Sequence, residues 1–249
     1  SKRPNMFPVA VNAPLMFEPE FTELRSPRAT VTLVGSPGTL FSMEDQRNFA
    51  DASFKAYAPL PYSYPNCKKE ERYEQTITIR PRLTPKAPKP AVKETTLTFG
   101  TTSAGRLPQI KTGSTGERNG FHGVNHDRDK YKEQPAISFA YFPTEHLFDD
   151  DTCWENVPVI VELAESARKI YGPKPIDIHR IALDPTNPRP RRDPRNTSPF
   201  GAAWAAACLK YAGLAGVRSA TFDFGPGHSG RLLKRLERLS DLPVTAGQV

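Results

Sequence analysis

The five histidines are the side chains of this chain best suited to move protons near neutral pH. His146 stands just after a short apolar run, residues 136–142, with Asp149 and Asp150 close behind it. A histidine steadied by a carboxylate is a general base, so His146 oriented by Asp149 is the leading catalytic candidate. The same residues also read as a loop histidine beside the acids of a helix start. His179 lies in the run 175–183, where strand alternation puts it on one face with Asp177, opposite Ile176 and Ile178. Facing a cavity, that pair would bind a ligand; facing water, it is a solvated surface. Arg195, in Asp193-Pro194-Arg195, carries the planar fork that matches a carboxylate, or pairs with Asp193 at the surface. His228 sits in the glycine-rich stretch 225–230, a ligand-contacting loop or lid that lacks the spacing of a nucleotide-binding motif. His122, His126 and Asp127 would present metal ligands on one face of a helix. Gly120 and Gly123 argue against a helix there, so no metal site and no cofactor are expected.

A second concentration of polar chemistry is the run 43–57, MEDQRNFADASFKAY. Glu44, Asp45, Arg47, Asp51 and Lys55 alternate there with aromatic residues, too polar for a core strand and too aromatic for a solvated loop. Such a segment either lines a polar-ligand site or forms a buried ion-pair seam between domains.

These residues need a scaffold. Charged residues make up 24% of the 249 and hydrophobic ones 37%, enough for a folded core. Twenty-six prolines, about twice the usual share, predict many turns. No stretch approaches the ~20 apolar residues of a membrane span, and no signal peptide is visible. Cys67, Cys153 and Cys208 are odd in number and widely spaced, which suggests a reducing, cytoplasmic setting rather than a disulfide framework. The net charge of +7 is concentrated in two proline-rich runs, 80–93 and 189–195. Neither run interleaves aromatics for base stacking, so the charge suits a small anionic ligand better than nucleic acid or a membrane.

Three regions follow. Residues 1–80 read as β-rich, with strands over 30–34 and 75–79 and a turn at 35–38. Residues 81–104 are a Pro/Lys linker with a connecting strand near 95–99. From 105 to 249 the pattern becomes strand–loop–helix: strands at 136–142, 175–183 and 217–224, and helices at 157–171, 200–212 and 231–239. Ser198-Pro199 is a strong start signal for the second helix. The fold class expected is α+β or α/β: a β-rich, sandwich-like domain followed by a partial (β/α) TIM-type barrel.

The run 43–57 closely resembles a signature of the D-apionate lactonase family, enzymes that open a sugar-acid lactone. Three later blocks are similar to the same family in the same order. TGSTGERNGFHGVNHDR (112–128) resembles a barrel segment that usually reads Phe-Ala-Glu-x-Asn-Arg. FAYFPTEHLFDDD (139–151) resembles a strand ending Pro-x-x-His-x-Phe-Asp-Asp. Residues 193–222 resemble the Asp-Pro-Arg and Phe-Gly-Ala-x-Trp blocks near the barrel's end. The resemblance implies a carboxylic-ester hydrolase of carbohydrate metabolism. It implies His146, Asp149 and Arg195 as catalytic residues, and Glu44, Asp45, Arg47, Asp51, Lys55, Asn125, Arg128, His179 and His228 as contacts for a sugar-acid lactone or aldonate. Two departures stand out. Residues 107–110, similar to the start of the barrel, run almost directly into a late-barrel block, so about half the barrel is missing. Gly123 also replaces the glutamate of the family pattern, and Asp223-Phe224 replaces an expected Tyr-Glu pair. The alternative is therefore a degenerate, truncated relative that binds sugar acids or acts as a structural subunit. An open half barrel would favour a homo-oligomer that covers its edges.

Overall fold

The computed structural model describes residues 16–21, 23–25, 31–35, 41–57, 74, 76–81, 98–113, 116–117, 119–184 and 192–248. The turn expected at 36–38, most of the Pro/Lys linker (82–93), the start of the strand at 95–99, Cys67 and the basic residues 189–191 lie outside them.

Two three-stranded antiparallel sheets occupy the N-terminal part. One contains β1 (Met16–Phe21), β4 (Phe41–Asp45) and β5 (Phe54–Tyr57), in the order β1-β4-β5. The other contains β2 (Glu23–Arg25), β3 (Val31–Gly35) and β6 (Ile77–Pro81), in the order β2-β3-β6. Alternation along β4 buries Phe41, Met43 and Asp45 and leaves Ser42 and Glu44 partly exposed. A 3-10 turn, Gln46–Phe49, links β4 to β5. It is capped by Asp45 and ended by Ala50 in the left-handed conformation, φ 59°.

The C-terminal part is built on a four-stranded parallel sheet of β8 (Gln109–Thr112), β9 (Ile137–Tyr141), β10 (Ile176–Ile181) and β11 (Ser219–Phe222). The order is β8-β11-β10-β9. The first strand thus pairs with the last, as happens where a closed (β/α) barrel joins its ends. The sheet is one arc of such a wall, and strands missing from a full barrel would fall between β8 and β9. A trace of one remains: Gly120 makes a parallel bridge to Ala140 on the free edge of β9, with Asn119 accepting the Ala140 N–H at 2.8 Å. At the other edge, Ser240 Oγ accepts the Ile110 N–H at 3.1 Å, which satisfies a backbone group that an open edge would leave bare. β7 (Thr98–Arg106) leads into the arc and pairs antiparallel with β12 (Pro243–Gln248), a strand that periodicity did not anticipate.

One face of the arc is apolar and covered by helices. Ile137, Phe139, Ile176, Ile178 and Phe222 pack in a single cluster with α4 (Val159–Tyr171) and α5 (Pro199–Leu214). Each core side chain buried in this way contributes about 1.5–3 kcal/mol. The α4 stripe Ile160, Leu163, Ala164 and Ala167 follows helical spacing, and Gly172 ends the helix at φ 81°. Ser198 caps α5 by accepting the Gly201 N–H, as its sequence signal requires. Fully buried Trp204 stacks on Tyr141 and donates its Nε1–H to the Cys153 carbonyl at 3.0 Å.

Three local expectations are corrected. Residues 121–126, expected to be non-helical because of their glycines, form α1 (Phe121–His126), followed by α2 (Arg128–Lys132). Gly120 takes the N-cap position, which glycine tolerates well. The acidic stretch after β9 is the short helix α3 (Asp150–Asn156): Asp149 caps it, and Asp150 and Asp151 suit the positive end of its dipole. The glycine-rich stretch after β11 becomes helical at His228, where α6 (His228–Leu236) begins before a 3-10 turn, Glu237–Leu239.

Candidate active site at the domain seam

The run 43–57 is where the two parts meet. Asp45 is fully buried and accepts Nε and Nη2 of Arg47 at 2.9 and 2.7 Å. The same guanidinium reaches Glu162 of α4 at 2.5 Å and lies over the Phe54 ring, 4.8 Å from its centre. Burial by itself would lower the Arg47 pKa, but hydrogen bonds from Asp45 and Glu162 carry it upward, so the ion pairs hold. Asn125 of α1 donates to Asn48 Oδ1 at 2.8 Å, and its own Oδ1 accepts from Arg128 at 2.9 Å. Asn156 of α3 accepts the Ala52 N–H at 2.7 Å. Asp45, Arg47, Asn125 and Arg128 are thus engaged in holding this seam together.

Above the C-terminal end of β9 the seam leaves a pocket of about 340 Å³. Asn48, Phe49 and Ala50 form one wall; Asn119 to Gly123, Ala140, Phe142, Glu145 and Leu163 form the rest. This is the end of the strands where barrels of this type place their chemistry. His146 is held beside the pocket: its Nδ1 is 2.9 Å from Asp51, and its ring meets the edge of Phe49 at 5.4 Å. The carboxylate that orients His146 is therefore Asp51. Asp149, expected in that role, is exposed and accepts the backbone N–H and hydroxyl of Thr152 as the α3 cap. Those two bonds also lower its pKa.

Two pocket residues were not anticipated as acid–base groups. Glu145 lines the pocket half-buried, and among the described residues it has no hydrogen bond or ion pair; burial raises its pKa. His122 stacks on Phe49 with ring centres 4.8 Å apart, and its pKa is lowered first by burial and then by His126. Glu145 adjoins His146 in sequence, and that adjacency was the available signal.

The remaining candidates stand elsewhere. Glu44 accepts the Tyr57 hydroxyl, a bond that with burial pushes the Tyr57 pKa up to about 12. Lys55 lies opposite Glu44 in the β4–β5 register. Arg195 is committed to Asp193, to Asp150 at 2.6 Å and to the Phe148 carbonyl, which leaves its fork little capacity for a substrate carboxylate. His228 is exposed at the start of α6. His179 shares one sheet face with Asp177, as alternation required, and its Nδ1 is 2.9 Å from Ser138 Oγ. That face forms a separate open groove with Lys111, Ser219 and Thr221. The seam pocket and the groove at His179 share no lining residue.

Arg180 was missed altogether. Simple alternation would place it among the core isoleucines, but the β9–β10 register shifts between Ile178 and Arg180. Arg180 instead reaches Asp223 at 2.7 Å and Asp184 at 3.3 Å, over the Phe142 ring. Arg192 joins the same two carboxylates. Asp223, where a Tyr-Glu pair was expected, keeps a carboxylate at this strand end, balanced by two arginines.

Cys153 and Cys208 are buried and unpaired; burial pushes the Cys153 thiol up to about 11 and Cys208 well above its usual value. Among the described residues no group of three or more His, Cys, Asp or Glu is placed to hold a metal ion. No described helix is long and apolar enough to cross a membrane.

A β-rich N-terminal part, an open parallel βα arc in which the first strand pairs with the last, and a pocket at the strand ends define a TIM-barrel protein with an N-terminal accessory domain. Residues 82–248 match the family model described as D-apionate lactonase, TIM barrel domain, and residues 4–84 match D-apionate lactonase, N-terminal domain. The chain belongs to the D-apionate lactonase family. No curated protein and no solved structure matches it.

Proposed function

We propose that this protein is a hydrolase that opens the ring ester of a sugar-acid lactone, a reaction of carbohydrate metabolism, in the pocket at the domain seam. The observation that carries the reading is the position of that pocket: it lies over the C-terminal end of β9 and is walled on one side by Asn48–Ala50, within the run that marks the family. Its volume of about 340 Å³ suits one small polar ring. His146, held by Asp51, stands beside it; Asp149 and Arg195 take structural roles in this reading. Water is the second reactant. The two N-terminal antiparallel sheets are read as the halves of a sandwich, and the setting as cytoplasmic.

The test is base uptake in a pH-stat with a panel of five- and six-membered aldonolactones. Turnover above the spontaneous rate supports the reading, and its absence across the panel sinks it. A second reading, a non-catalytic sugar-acid-binding subunit, is favoured by the four-stranded arc and by glycine at position 123. It predicts aldonate binding by calorimetry without turnover. In either case the open edges of β8 and β9 would be covered by a second copy, which sedimentation equilibrium would detect as a dimer.

A further inference from the structure

We infer that Glu145 and His122 are the acid–base pair of the seam pocket, with Glu145 as proton donor and His122 as the base that activates water. This rests on the lactone-opening reading and assigns its chemistry to residues that neither the family pattern nor the His146–Asp51 contact would select.

Three observations carry it. First, Glu145 and His122 both line the seam pocket, whereas His146 is not among its lining residues. Second, their polar atoms are uncommitted. Among the described residues neither Glu145 nor His122 makes a hydrogen bond or ion pair; His122 meets the rings of Phe49 and His126 and feels the charges of Asp127 and Glu44. Every charged candidate from the run 43–57 with a described contact is already engaged, Asp51 with His146 and Asp45 with Arg47. Third, the glutamate of the family pattern is absent from α1, and its space is filled. A Cβ on Gly123 would lie 2.0 Å from Asn119 Oδ1, and the Asn119 amide is tied to the Tyr131 hydroxyl. A side chain at position 123 would first have to displace the exposed Asn119 side chain, and the carboxylate that lines the pocket comes from the loop after β9.

The environments fit the roles. Burial holds the Glu145 carboxyl above the usual carboxylate range, which keeps its proton available. Burial and His126 favour neutral His122, which leaves a ring nitrogen free to accept a proton. Phe49 fixes the His122 ring by stacking and meets His146 edge-on, so the Asp51–His146 pair positions the wall that holds the base.

The step balances. Water oxygen bonds to the lactone carbonyl carbon and its proton passes to a His122 ring nitrogen. The bond from that carbon to the ring oxygen breaks, its electron pair staying on oxygen. Glu145 gives that oxygen its proton and a hydroxy acid leaves. The imidazolium proton then returns to the Glu145 carboxylate through solvent.

The experiment compares pH–kcat/KM profiles of the full-length wild type, E145Q, E145D, H122Q and H146A on the best aldonolactone, with circular dichroism melts to confirm folding. The groups facing His122 are His126, Asp127 and Glu44, and the one facing Glu145 is His146, so the H146A profile separates their contributions. E145Q is expected to lose about 10²–10³-fold in kcat/KM together with the alkaline limb, and E145D to keep that limb. H122Q is expected to lose the acid limb. A folded E145Q with wild-type rate and profile overturns the assignment while leaving the lactonase reading intact. So does a loss confined to H146A. A wild type without turnover removes the lactonase reading and the pair with it.

Discussion

Replacing Arg47 by methionine should separate a buried ion pair from an exposed one within a single side chain. The guanidinium contacts Asp45 at 2.7 and 2.9 Å, and that carboxylate is fully buried. It also contacts Glu162, whose side chain is 41% exposed. Methionine keeps the packing against Phe54 and removes the two charged donors that Arg47 gives Asp45, while the bond from the Arg47 backbone N–H stays. Charges about 4 Å apart at an effective dielectric near 20 interact by about 4 kcal/mol. Breaking one partner of a buried pair costs about 3–5 kcal/mol by mutational experience. R47M should therefore lose about 3–5 kcal/mol, whereas E162Q should lose about 1 kcal/mol or less, because water already solvates that carboxylate. D45N/R47M should be more stable than R47M alone, since the buried carboxylate that lost its guanidinium is made neutral. Urea unfolding followed by Trp154 and Trp204 fluorescence measures all four proteins. With a slope of about 3 kcal/mol per molar urea, R47M should shift the midpoint by about 1 M. An R47M loss equal to that of E162Q, or a double variant less stable than R47M, would refute the seam argument.

Other outcomes follow from single contacts. His179 is depressed chiefly by burial, and its Nε2 is buried without a hydrogen bond. Its stabilising contribution is complete above its ordinary value of 6.5 and is lost as pH falls through the lower folded-state value. Thermal melts from pH 7.5 down to 5 should therefore fall less steeply in H179Q than in wild type. D149A should lower the melting temperature and D149S should restore it, with lactonase rate unchanged in both, because Asp149 caps α3. S198A should cost about 1 kcal/mol in urea through loss of the α5 cap. G123A should cost little, because the atom that the new methyl would strike is the end of the exposed Asn119 side chain, which can swing aside; differential scanning calorimetry checks this.

Much of the scaffold was legible in the residues. The helix at 157–171 carries its apolar stripe and its Gly172 stop, and Ser198-Pro199 announces α5 within a residue. The strands at 136–142 and 175–183 read correctly because burial on one face leaves a local pattern. β12 was invisible because its partner, β7, lies some 140 residues away and its own segment is short and polar. α3 was hidden by its acids, which read as a loop until their place at a helix N-terminus is known. Arg180 was misplaced because a register shift between strands leaves no mark in one strand's alternation.

The candidate site was legible in part. His146 was singled out, but its carboxylate partner is 95 residues away at Asp51 rather than three residues on at Asp149. Asp149 could not serve because the nearest backbone N–H groups without partners were those of its own helix, and it caps them. Sequence by itself determined the kind of chemistry available: histidines and carboxylates near strand ends, a polar-aromatic run, and a barrel grammar with a gap. Tertiary structure decided which of these groups are already spent. Ion pairs and caps engage Asp45, Arg47, Asp149 and Arg195, because a charge beside a free partner lowers its energy by joining it. Glu145 and His122 line the cavity without a hydrogen bond or ion pair among the described residues, and that distinction depends on contacts between segments far apart in the chain.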